Sequence, residues 1–180
     1  MPSLRAPRLC LALLACAVVV AVAPEAAAPA SKRLVAALRL EKQVARRVNL
    51  VRRWHGLAPL RQSRGLTAAA RLHSREMAVR GYFEHESASG RAFWRRIERV
   101  YGSNGYSRWE VGENIALSTA RARAADIVRQ WMGSPPHRAN ILSGAWRELG
   151  LGAFRVRRPG GAFGGRTVTL VTLDLGVRVR

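Results

Sequence analysis

The strongest chemical signal in the chain is carried by twelve residues, Trp131 to Leu142, which read Trp-Met-Gly-Ser-Pro-Pro-His-Arg-Ala-Asn-Ile-Leu. Pro135 pushes Ser134 out of the helical region, and Ser-Pro-Pro suits the entry to a short helix, with a capping residue followed by proline in the first turn. His137 then falls in that first turn. The positive end of the helix dipole disfavours an imidazolium there, which biases the ring toward the neutral form that can ligate a metal or accept a proton. The same ring could instead fix a neighbouring loop by hydrogen bonding. The other histidines read differently. His73 lies on the apolar face of a helical pattern, a core position. His55 sits at the exposed end of another helix beside Gly56, and His85 follows Tyr82-Phe83-Glu84 into a loop. Among the acids, Glu113 stands between Gly112 and Asn114, where a carboxylate can cap backbone N–H groups or serve as a ligand.

The elements that must position these residues follow from periodicity. Leu34, Leu38, Val44, Val48 and Val51 predict a long amphipathic helix ending at Gly56, with Arg46, Arg47, Arg52 and Arg53 on its wet side. Leu66, Ala70, His73 and Met77 define a second helix that stops at Gly81. A third, starting at Ser89-Gly90, carries Phe93, Trp94, Ile97 and Val100 as its buried set, and a turn-rich loop runs from Tyr101 to Tyr106. Glu110 to Leu117 is short and partly alternating. Ser118 or Thr119 then caps a helix whose buried face, Ala124, Val128, Trp131 and Met132, runs up to Gly133, a residue suited to the left-handed position. Two strands close the chain, Glu148 to Arg157 and Thr167 to Val177, joined through Pro159-Gly160-Gly161 and Gly164-Gly165 as in a hairpin. Helices first and strands last means an α+β fold.

The first thirty residues differ in kind. Arg5 and Arg8 precede an entirely apolar run from Leu9 to Ala23, and Ala28-Pro29-Ala30 supplies the small residues that signal peptidase reads. Residues 1–30 are therefore expected to be a signal peptide cleaved before Ser31, leaving one domain, 31–180, with no transmembrane span. The alternative takes Leu13-Leu14-Ala15-Cys16 as a lipoprotein box with Cys16 acylated. Cys10 and Cys16 are the only cysteines, so a chain cut at Ser31 has neither disulfides nor a thiol nucleophile. Removing Arg5, Arg8 and Glu25 with the leader takes the formal charge from +20 to +19. Arginine supplies almost all of it and is spread along the chain rather than gathered in one stripe. Such a field favours anionic partners such as envelope polymers or lipid headgroups. Walker, nucleophile-elbow and His-Glu-x-x-His patterns are absent, which argues against nucleotide hydrolysis and the common esterase plan. Nucleic-acid binding lacks a recognition motif and conflicts with export.

The Trp131–Leu142 segment resembles the Trp-Met-x-Ser-Pro-x-His-Arg-x-Asn-Ile-Leu signature of bacterial members of the CAP superfamily, the SCP-like domain of cysteine-rich secretory, antigen-5 and pathogenesis-related-1 proteins. Three more stretches agree in order: Asn49 to Leu60, Phe83-Glu84-His85, and Gly112 to Ala116. The resemblance implies a three-layer α-β-α sandwich around a small antiparallel sheet. It also implies that His85, Glu113 and His137 meet in one surface cleft, where two imidazoles and a carboxylate could hold Zn²⁺ with a position left open. Some relatives have a second cavity glutamate where this chain has Ser134, so a mechanism needing a separate general base loses its obvious candidate. The expected function is that of a secreted protein, extracellular or periplasmic and monomeric, that binds a lipid, a small-molecule ligand or an anionic cell-envelope polymer. A metal-assisted, protease-like hydrolase is the alternative, and the missing acid weakens catalysis more than binding.

Overall fold

The structure is a computed structural model that describes residues 33–119, 121–157 and 160–180. The leader, its cleavage point and Cys16 lie outside the described residues, as does Pro159 of the expected hairpin.

The chain runs β1 (Arg33–Ala36), α1 (Leu38–Trp54), β2 (Arg61–Gln62), α2 (Arg64–Arg80), α3 (Phe93–Glu98), β3 (Arg108–Ser118), α4 (Ala124–Met132), α5 (Pro135–Leu142), β4 (Glu148–Arg157) and β5 (Val168–Val179). The sheet order is β1-β4-β5-β3, all antiparallel, and the two-residue β2 adds in parallel to the start of β4. Helices cover both faces, giving the α-β-α sandwich. One face of the sheet presents Leu149, Leu151, Leu173 and Leu175 to α1, α4 and α5, where Val44, Val48, Ile127 and Trp131 complete the larger core. The other face carries Phe154, Val156, Leu170 and Asp174, and it receives α2 and α3.

α2 lies on this second face in unusually close contact. A Cβ at Gly150 would stand 2.1 Å from the Leu66 carbonyl carbon, and one at Gly152 would stand 2.3 Å from the Ala70 carbonyl. Two glycines at i and i+2 on one strand face thus form the seat for the helix backbone. Ser74 fastens it, its Oγ donating to the Gly152 carbonyl at 2.9 Å and lying 2.8 Å from Thr172 Oγ1. At its C-terminus Gly81 adopts φ 76°, the left-handed stop that the sequence predicts.

Several expectations are corrected. Leu34 belongs to an edge strand rather than to the first helix, and Leu38 is 49% exposed; the buried stripe is Leu40, Val44, Val48 and Val51. β1 escapes the helix because pairing with Ala36 to Arg33 satisfies the edge amides of β4. Arg52, placed on the wet side by its position in the repeat, is buried. Its guanidinium closes three carbonyls, donating to Ala58, Ile141 and Ser143 at 3.0, 2.7 and 2.9 Å. α3 turns Arg96 and Ile97 inward and leaves Val100 exposed, and it begins at Phe93 rather than at Ser89-Gly90. β3 runs to Ser118, so neither Ser118 nor Thr119 caps α4; Arg123 precedes it without a side-chain cap. Gly133 is right-handed at φ −79° because α5 follows at once. Ser134 is extended, as Pro135 demands, but its hydroxyl makes no capping bond, the two prolines having removed the first amides of α5. The arginines, though numerous everywhere, do gather in one place, around a groove between α2 and α3.

Candidate functional site

β3 is an edge strand, and its alternation builds a site that wraps around that edge. Glu113 points toward α2 and α3, and Asn114 toward α5. Both are buried, at 4% and 0% exposure. Asn114 Nδ2 donates to the His137 carbonyl at 3.0 Å. Its Oδ1 accepts from Asn140 Nδ2 at 2.9 Å, and that amide also reaches the Glu113 carbonyl at 3.2 Å. α5 is thereby clamped to the strand. Gly112 permits the clamp to close, since a Cβ there would come within 3.0 Å of the Trp146 ring, whose Nε1 holds the Asn140 carbonyl at 2.9 Å.

Glu113 Oε1 accepts from His85 Nδ1 at 2.9 Å, with His73 Nε2 at 4.0 Å. Its other oxygen, Oε2, is taken by Arg96 Nη2. Arg96 is itself held by Ser87 Oγ at 3.1 Å and the His85 carbonyl at 3.4 Å. His137 comes from the opposite layer, and its ring centroid stands 6.4 Å from that of His85. The three expected residues are therefore brought together. His73 is buried in the core as expected, yet it also borders the carboxylate. Its Nε2 donates to the Glu84 carbonyl at 2.9 Å, which leaves Nδ1 buried without a hydrogen-bond partner among the described residues.

Two buried charged residues beside the cleft escape sequence reading. Arg96 sits among arginines on a six-residue helix, with nothing local to single it out. Asp174 lies on β5 directly opposite Glu113 and is fully buried, and neither carboxyl oxygen has a hydrogen-bond partner among the described residues. An aspartate in the otherwise apolar and β-branched run from Val168 to Val177 was the available signal.

The environment separates these groups by charge. Burial alone would raise Glu113, but the His85 hydrogen bond and the Arg96 and His73 charges hold it below the usual carboxylate range. Asp174 goes the other way, raised well above its usual value by burial and then by the Glu113 charge beside it. His85 is raised chiefly by its hydrogen bond to Glu113. His137 is lowered by burial and then by the charge on His85, and His73 is lowered mainly by burial. His137 is thus biased toward neutrality, as expected, but through burial and its histidine neighbour. An NMR titration should find His85 protonating above the ordinary value of about 6.5 and His137 below it. In Glu113→Gln the His85 value should fall back, and an unchanged value would show that the carboxylate does not set it. The linkage signs differ. The His85 interaction stabilises the fold below the unfolded value and fades as pH rises through the raised one. His73 and His137 instead cost stability as pH falls through the unfolded value toward their lowered ones.

As a metal centre the arrangement fits two donors rather than three. Both Glu113 oxygens are engaged, and with 6.4 Å between their ring centroids the two imidazoles must close by about 1 Å to reach the roughly 5 Å expected for a pair about one tetrahedral zinc. Among the described residues no group of three or more His, Cys, Asp or Glu side chains is gathered at metal-binding distance. Glu113 instead occupies the place of the carboxylate that orients a histidine from behind.

An α-β-α sandwich with a histidine–carboxylate cleft at the open edge of its sheet defines the class of this protein. Residues 45–168 match the cysteine-rich secretory protein family, CAP, and the chain belongs to it. Two Bacillus subtilis proteins are similar in sequence: the uncharacterized protein YkwD, 34% identical over 113 residues (62% of this chain, 41% of that protein), and the uncharacterized membrane protein YlbC, 33% identical over 115 residues (64% and 32%). The match thus spans less than half the length of either relative. Among solved structures, an extracellular SCP-domain protein of Bacillus anthracis is 24% identical with a TM-score of 0.59, covering 77% of this chain and 40% of its own. An outer surface protein of Borrelia burgdorferi is 16% identical with a TM-score of 0.63, covering 82% and 99%. Both share the fold. Among the described residues no helix is long and apolar enough to cross a membrane.

Proposed function

We propose that this chain is an exported CAP-domain binding module, secreted or anchored through Cys16, that receives a lipid, a small ligand or an anionic envelope polymer at the cleft between His85 and His137. The observation that supports binding over hydrolysis is the engagement of Glu113. Hydrolysis on the two-acid plan needs a free carboxylate to activate water. Here the Glu113 carboxylate is engaged by Arg96 and His85, Asp174 is fully buried, and Ser134 stands where a second acid would serve. His85 turns Nδ1 to Glu113, and with its side chain 41% exposed the ring can offer Nε2 to a ligand.

In this reading a divalent ion such as Zn²⁺ is held by the imidazoles of His85 and His137, and Glu113 orients the first of them. The ion would supply charge to which an anionic group could bind. Zinc titration of the purified protein above pH 7 tests it. His85→Ala and His137→Ala should each remove the site, His73→Ala should cost stability and leave zinc affinity nearly unchanged, and Glu113→Gln should weaken zinc by about 10–100-fold without abolishing it. Complete loss in Glu113→Gln would return the carboxylate to the ligand set. Peptide or ester hydrolysis that vanished in His137→Ala would favour the hydrolase instead.

A further inference from the structure

Between α2 and α3, on the far side of Arg96 from the cleft, the surface opens into a groove of about 370 Å³, within the roughly 300–1,000 Å³ typical of small-ligand pockets. Arg75, Arg80, Arg91, Arg95 and Arg99 line it, and Glu76 is its one acid. Two of these arginines have carboxylate neighbours, Arg80 with Glu76 at 3.8 Å and Arg95 with Glu98 at 3.7 Å, both long and exposed. Arg75, Arg91 and Arg99 meet no carboxylate within 4.0 Å among the described residues. Uncompensated arginines crowded into one groove repel one another, and an oxyanion relieves that repulsion while matching the guanidinium fork. The wall is not purely charged. Leu72 and Val79, seven residues apart on the outer face of α2, line the same groove at 54% and 46% exposure. An apolar surface beside several unneutralised guanidinium groups suits a ligand with both characters, and more than one positive charge favours a phosphate over a carboxylate.

We infer that the α2–α3 groove binds a phosphate ester carrying an apolar substituent, the phosphate held by Arg75, Arg91 and Arg99 and the substituent lying along Leu72 and Val79. This site is separate from the histidine cleft and stands whether or not the cleft takes a ligand. Arg96 borders both, but its guanidinium is committed to Glu113.

Calorimetric titration of the purified protein with octyl phosphate, at about 0.15 M salt to screen the general cationic field, tests the inference. Octyl phosphate should bind more tightly than inorganic phosphate, and Leu72→Ser/Val79→Ser should erase the difference. Arg75→Glu/Arg99→Glu should weaken binding by about tenfold or more. The control is Arg46→Glu/Arg53→Glu, which makes the same change of charge on exposed positions of α1, in the opposite layer. It should leave binding within about twofold, because screened distant charges contribute little. Vesicles containing phosphatidylglycerol distinguish the source. Vesicle binding lost in the Arg75/Arg99 variant identifies a membrane headgroup, whereas octyl phosphate binding without vesicle binding identifies a soluble ester. Equal losses in the control variant, equal affinity for inorganic phosphate, or no binding of octyl phosphate would each overturn the inference.

Discussion

Gly152→Ala is expected to unfold at a much lower urea concentration than the parent protein. Its new methyl would meet the backbone of Ala70 and Arg71 at 2.3 Å, where no flexible side chain can yield. Only a shift of α2 away from the sheet relieves the clash. That shift would open the packing of Leu66, Ala70 and Met77, break the Ser74 bond to the residue 152 carbonyl, and carry His73 away from Glu113. Overpacking a tight core costs about 1–3 kcal/mol and sometimes more, and the lost contacts add to it, against a total stability of about 5–15 kcal/mol. Gly144→Ala is the matched control. Its Cβ would meet only Leu57 Cδ2 at 3.9 Å, so a change within about 0.5–1 kcal/mol is expected. Urea denaturation of both variants measures the difference. If Gly152→Ala unfolded at the same midpoint as the parent, the close seating of α2 would be wrong.

Arg96→Ala should be the most damaging change at the site. It removes the guanidinium that faces Glu113 in a setting where both side chains are almost wholly buried, at 4% and 1% exposure. Breaking a buried pair from one side costs about 3–5 kcal/mol, because the remaining charge keeps its desolvation penalty without its partner. For a domain of this size that is a fall in melting temperature of roughly 10 °C. Neutralising Glu113 as well, in Arg96→Ala/Glu113→Gln, should recover part of the loss. The pH dependence has a definite sign. In the parent, Glu113 is lowered, so its stabilisation is present above the unfolded value and lost as pH falls through the lowered one. Without Arg96 one of the charges that lower Glu113 is gone, so its value moves up from that of the parent and the variant's deficit should shrink on acidification. Thermal melts at two pH values measure it, and a small deficit equal at both would mean that the pair contributes nothing net.

Much of this architecture is legible in local patterns. The face Leu66, Ala70, His73 and Met77 and the stop at Gly81 appear where the four-three-four spacing places them, and Ser-Pro-Pro opens α5 because proline restricts its neighbour whatever the surroundings. The misreadings share a cause. Leu34 fits a helical repeat but pairs with β4, and Arg52 fits a wet face but closes carbonyls from Ala58, Ile141 and Ser143. In each case a distant segment offers the backbone or side chain a better partner than its local period suggests.

The sequence by itself determined the α+β class and the Ser134-Pro135-Pro136 helix entry, because turn chemistry and apolar periods act within a few residues, and its four ordered motifs carried the resemblance that implied the family, the sandwich and the meeting of His85 with His137. The tertiary structure alone decided what Glu113 does. Whether a carboxylate is a free ligand or a spent counter-ion depends on which charges reach it. Arg96, His73 and His85 come from one layer, Asp174 comes from the neighbouring strand, and β3 alternation sends Asn114 the other way to hold His137. Only folding sets those distances and removes the water that would otherwise screen them.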